Sequence, residues 1–97
     1  MAIDLPRVFT DPDGREFELT GSTWSHIALN HGEVIGNIEE IESCIGVSED
    51  IFRSTKNKHR IIYRSSPDNV DYRYFVVVVD ERTNQIVTAY ATNHDSF

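Results

Sequence analysis

The sequence predicts an α+β fold in a single domain: an N-terminal hairpin, two short helices, and then a four-stranded antiparallel β-sheet. Three observations predict it. Apolar residues recur with period two up to Leu19, with helical spacing between Trp24 and Gly46, and with period two again from Asp50 to Thr92. Turn formers punctuate the changes, as Asp11-Pro12-Asp13-Gly14, Gly32, Gly46 and Ser66-Pro67-Asp68-Asn69. The 97 residues suffice for one modest core and leave no room for a second.

Residues 1–20 read as the hairpin. Pro12 presets φ for its turn and Gly14 supplies the permissive position after it. Phe17 and Leu19 point to one side and Glu16 and Glu18 to the other, the alternation of a half-buried strand. Residues 22–46 read as the two helices. Ser22 or Thr23 caps the first, which carries Trp24, Ile27, Ala28 and His31 along one stripe and ends at Gly32. Asn37 caps the second, with Glu40 as its capping-box partner and Ile38, Ile41, Cys44 and Ile45 as its apolar side. Its Glu39, Glu40 and Glu42 form a solvated face that favours the start of the helix electrostatically.

Residues 50–92 supply the sheet, with strands at Asp50–Ser54, Arg60–Ser65, Tyr72–Asp80 and Gln85–Thr92. Tyr72–Asp80 is apolar on both faces and is therefore expected in the centre. The strands are joined by turns too short for crossovers, so antiparallel pairing is expected throughout.

Composition narrows the function classes. The single cysteine, Cys44, excludes an internal disulfide and falls in a helical stripe, where a packing role is expected. The longest apolar run, Phe75–Val79, is far short of the ~18 residues that span a membrane. Met1-Ala2-Ile3-Asp4 has no leader-like character, so a cytoplasmic domain is expected. His26 and His31 are five residues apart, whereas helical metal ligands are usually three or four apart, and there is no Gly-rich phosphate loop or nucleophile elbow. Neither a metal nor a cofactor is expected.

The net charge of −7 argues against general nucleic-acid binding. Its distribution is uneven. Arg53, Lys56, Lys58, Arg60 and Arg64, with His59, lie between Ile51 and Pro67, a segment without any acidic residue. Two readings are open: a solvated strand pair that balances acidic helices, or a local anion site on an acidic body.

The order of these elements carries a resemblance. Trp24-Ser25-His26-Ile27 and His31-Gly32-Glu33 mark a tryptophan–histidine helix before a second short helix; basic antiparallel strands follow, and the last strand contains Thr88-Ala89-Tyr90. From Ser22 to Thr92 the chain resembles the barnase–EndoU–colicin E5/D–RelE superfamily of ribonucleases, particularly its small phage and bacterial toxin branches. The resemblance implies metal-independent cleavage of RNA with the ribose 2′-hydroxyl as nucleophile. It implicates His26, His31, Thr88 and Tyr90 in catalysis, and Arg60 or Arg64 in phosphate binding. Lys58 and Arg53, from the same basic segment, join them as candidate phosphate contacts. It implies RNA, whether tRNA or mRNA, as substrate, and a cognate inhibitor or antitoxin as a protein partner. The chain departs from many toxin members of that superfamily in being far less basic.

The chemistry is consistent with these residue types. Cleavage to a 2′,3′-cyclic phosphate needs a base, an acid and a stabiliser of phosphoryl charge, roles that suit histidine and arginine. Geometry restricts the candidates. On an ideal helix His26 and His31 differ by roughly 140°, so both face one phosphate only if the helix ends near Asn30. Thr88 and Tyr90 share one strand face, as do Arg60 and Arg64; whether those faces meet is a tertiary question. His59 and His94 are expected at the surface. The alternative to an enzyme is the same fold retained as a non-catalytic module that binds a protein or nucleic acid, and beyond it a structural domain with no ligand site.

Overall fold

A computed structural model of the chain describes residues 5–30, 38–48, 50–66 and 72–93. Eight elements follow one another: β1 (Arg7–Thr10), β2 (Glu16–Leu19), α1 (Gly21–Asn30), α2 (Ile38–Gly46), β3 (Asp50–Arg53), β4 (Arg60–Ser65), β5 (Tyr74–Asp80) and β6 (Gln85–Thr92). Between β1 and β2 the turn closes on Asp11, whose N–H donates to the Arg15 carbonyl (2.8 Å) and whose carbonyl accepts from the Gly14 N–H (3.0 Å). Gly14 has φ +86°, a left-handed value that a Cβ disfavours, which is why glycine serves there.

The sheet is six-stranded and mixed, in the order β1-β2-β6-β5-β4-β3, and this corrects the expected four-stranded antiparallel sheet with a separate hairpin. Strands β3 to β6 do pair antiparallel. The difference lies at the outer edge of β6, where β2 adds in parallel with Glu18 beside Gln85. The Glu18 N–H donates to the Asn84 carbonyl at 2.8 Å. An uncovered edge leaves a row of backbone groups unpaired, and an isolated hairpin is marginal in water. Joining the two covers the edge and brings Phe9, Phe17 and Leu19, each at most 1% exposed, under the helices. Parallel pairing is possible because two helices and three strands separate β2 from β6 in sequence.

Both helices lie on one face of the sheet. Ile27 of α1 and Ile38, Ile41, Cys44 and Ile45 of α2 share a cluster with Phe9, Phe17, Leu19, Ile61, Tyr63, Phe75, Val77, Val79, Ile86 and Ala89, and Trp24 packs against it. The cap of α1 is Thr20, not Ser22 or Thr23: its carbonyl accepts the Trp24 N–H (3.0 Å) and its Oγ1 the Thr23 N–H (3.2 Å). Thr20→Ala is expected to cost about 1 kcal/mol, read as a lower midpoint in urea unfolding. The expected cap of α2, Asn37, lies outside the described residues, as do the Gly32 end of α1 and most of the Pro67 turn. At the other end of α2, the Ser48 hydroxyl donates to the carbonyls of Cys44 and Ile45. The chain turns from β5 to β6 through Asn84 at φ +56°, a conformation asparagine tolerates. Among the described residues, no helix is long and apolar enough to cross a membrane.

One irregularity decides which way β6 faces. Val79 pairs with Ile86 but Val78 pairs with Thr88, so Val87 is an extra residue, a β-bulge. The bulge places both Ile86 and Ala89 in the core although they are three residues apart. It therefore directs Thr88, Tyr90 and Thr92 to the face without helices.

Candidate functional site

The helix-free face is built in cross-strand rows. Asp50, Arg64, Val76 and Tyr90 stand in one row across β3, β4, β5 and β6, and Phe52, Ile62, Val78 and Thr88 stand in the next. Arg60 pairs with Asp80 beyond them, and Tyr74 with Thr92 on the other side. Val76 (0% exposed) and Ile62 (7%) are buried here but outside the core cluster. They form the apolar floor between the polar side chains. Arg60, Arg64, Thr88 and Tyr90 thus occupy one face.

The two arginines differ. The Arg64 guanidinium is fixed in an ion pair with Asp50, its Nε donating to Oδ2 at 3.1 Å. It also lies 5.0 Å from the ring centroid of Phe52 and 4.5 Å from that of Tyr74. Among the described residues Arg60 has no ion pair, and its Nε is buried without a hydrogen-bond partner. The Oγ1 of Thr88 is in the same condition. Strand spacing and rise put the Arg60 and Thr88 backbones roughly 12 Å apart, so their side chains can approach one ligand from two sides. Buried polar atoms are normally paired, and these two are closed to solvent without a partner, with the Asp80 carboxylate opposite Arg60 on β5. Half-buried Tyr90 borders this place, and burial raises its hydroxyl above the ordinary tyrosine value, keeping it a neutral donor.

The remaining candidates lie elsewhere. His26 is exposed on α1, with Nδ1 3.2 Å from the Asn30 amide nitrogen, in the helical layer on the opposite face of the sheet. His31 and His94 lie outside the described residues. Arg53 is committed to Glu81 in an ion pair of 2.5 Å and donates to the Lys58 carbonyl at 2.6 Å. Lys58 is exposed in the turn before β4. His59 is half-buried, its backbone tied to Asn57 and Glu81.

Asp50, Phe52 and Tyr74 complete the arrangement around Arg64, and sequence reasoning did not find them. A signal was present: Asp50 and Phe52 alternate with Ile51, as Arg64 and Ile62 alternate with Tyr63. What was missing was the strand register that sets the two pairs side by side. A depression of about 310 Å³ between the hairpin and the β5–β6 turn is lined by Val8, Glu16, Phe17, Glu18, Thr83 and Asn84. Its two carboxylates make it unsuited to phosphate. Among the described residues no three His, Cys, Asp or Glu side chains gather as a metal ion would require.

Cys44 takes no part in the face. Its Sγ lies 3.4 Å from the carbonyl oxygens of both Tyr63 and Phe75, and burial pushes the thiol up to about 12. Ellman's reagent is expected to leave it unmodified in the native protein and to titrate one thiol after denaturation.

Comparison with known proteins adds no family to this geometry: no family model, no curated protein and no solved structure matches the chain.

Proposed function

We propose that this chain is an RNA-directed domain of the barnase–EndoU–colicin E5/D–RelE type, a metal-independent endoribonuclease whose substrate lies on the helix-free face. The observation that carries this reading is the pair of buried, unpartnered polar atoms, Arg60 Nε and Thr88 Oγ1, on that face beside Tyr90. In the reaction the ribose 2′-oxygen attacks phosphorus and the bond to the 5′-oxygen breaks, leaving a 2′,3′-cyclic phosphate. Arg60 stabilises the charge that grows on the phosphoryl oxygens, while Thr88 and Tyr90 orient the phosphate and ribose by hydrogen bonds. For proton transfer the resemblance leaves His31, which lies outside the described residues and is tested by the His31→Ala variant below. His26 is on the far side of the sheet and serves no role at this face.

That placement of His26 favours a second reading, a non-catalytic module that holds RNA on the same surface. One experiment separates the two. Bulk RNA is incubated in EDTA with the wild type and with Arg60→Ala, Thr88→Ala, His31→Ala and His26→Ala, and products are analysed for cyclic phosphate ends. The enzyme reading expects products from the wild type and His26→Ala and their loss in the other three. RNA affinity without products establishes the binding module. Neither affinity nor products overturns both.

A further inference from the structure

Phe52 is an aromatic side chain 37% exposed on the edge strand β3, facing the helix-free side with Arg64. The Arg64 guanidinium lies near the Phe52 ring on one hand and the Tyr74 ring on the other, at 5.0 and 4.5 Å from their centroids. Tyr74 is also approached by the Arg73 guanidinium at 5.3 Å. The guanidinium, its side chain 18% exposed, stands between the two rings, so that the more exposed Phe52 is the member of the stack to which a further planar ring can add. Asp50 already answers the charge of Arg64, and holds its plane in place through Nε and Nη2. A neutralised arginine stacked against two rings is a poor phosphate ligand and stiffens the aromatic side chains beside it.

We propose that Phe52, Arg64 and Tyr74 form a stacking subsite for one unpaired nucleobase, so that the substrate class is single-stranded RNA. The inference rests on the RNA-directed reading above and divides labour on the face: Arg60 and Thr88 take the phosphate, and the aromatic–arginine stack takes a base next to it. The register supports the division. Phe52 stands opposite Ile62, one two-residue step of about 7 Å along β4 from Arg60, a span that a single nucleotide covers. Base-on-aromatic stacking tolerates any base, because every base has a π-face. Bases inside a duplex are already stacked on one another and cannot lie on this surface.

The test uses fluorescence anisotropy with a short, fluorescein-labelled 2′-O-methyl oligouridylate, which the 2′-hydroxyl mechanism cannot cleave, and with its duplex on 2′-O-methyl oligoadenylate. The single strand is expected to bind at least tenfold more tightly than the duplex at equal salt. Phe52→Ala and Phe52→Leu are expected to weaken single-strand binding about tenfold without changing its salt dependence, whereas Phe52→Trp restores it with quenching of the new indole on binding. Leucine keeps the apolar bulk and loses the π-face, so a folding defect and a stacking defect are told apart. Equal binding of duplex and single strand, or full affinity in Phe52→Leu, removes the subsite and leaves the RNA reading standing. No binding of either probe at any salt removes both.

Discussion

Asp11→Ala is expected to remove about 3 kcal/mol of stability, a large share of what a domain of this size possesses. Asp11 is only 4% exposed although it is charged. Its carboxylate accepts from the backbone N–H groups of Asp13 (2.9 Å) and Arg15 (2.8 Å), from Arg15 Nε (2.8 Å) and from the Tyr63 hydroxyl (2.6 Å). It therefore closes the hairpin turn and ties β1 to β4 across the core. Alanine leaves the Tyr63 hydroxyl buried with no acceptor, which is the costly half of the loss. Tyr63→Phe removes the hydroxyl along with its need for a partner and should cost less, about 1–2 kcal/mol. Urea unfolding of both variants measures the difference.

The same contact gives stability a pH dependence with a definite sign. Burial alone would raise the Asp11 carboxyl, but the bonds from Tyr63 and Arg15 outweigh it and hold it below the ordinary value. A depressed carboxyl stabilises the fold fully above its unfolded pKa, about 3.9, and the contribution is lost as pH falls through the folded value. Tyr63 acts at the other end. Burial, then the Asp11 carboxylate, raises its hydroxyl well above 10.0, so its contribution is lost as pH rises above about 10, where the unfolded chain releases the proton. Asp11→Ala should flatten the acid limb of the stability profile.

Arg60→Ala is expected to have the largest effect on function and very little on folding. No ion pair to Arg60 exists among the described residues, and its Nε is unsatisfied, so truncation removes no stabilising polar contact. If Arg60 holds an RNA phosphate, its removal lowers affinity at least tenfold and reduces the slope of log affinity against log salt by about one. Arg64→Ala should differ in its stability cost and in its salt dependence. It loses the Asp50 ion pair and both ring contacts, at a cost of about 1–2 kcal/mol in stability, while leaving the salt slope unchanged. Equal salt slopes for the two variants would refute the assignment of the phosphate to Arg60.

The resemblance offered either arginine, and alternation along β4 set both on one face without ranking them. The ranking came from the partners: Asp50, Phe52 and Tyr74 engage Arg64 and leave Arg60. Those partners come from strands β3 and β5, whose register against β4 follows from the packing of the whole sheet.

Local pattern in the sequence determined the elements of this protein, the burial of Cys44, the antiparallel pairing of β3 to β6, and the shared faces of Arg60 with Arg64 and Thr88 with Tyr90. These depend on side-chain period and on turn chemistry within a few residues. Tertiary structure alone decided that β2 covers the edge of β6, that Val87 bulges so that Thr88 and Tyr90 face the arginines, and that His26 stands on the other side of the sheet. Each of those outcomes joins residues distant along the chain, and they are settled by which apolar surfaces bury one another and which backbone edges find partners, quantities that no local window contains.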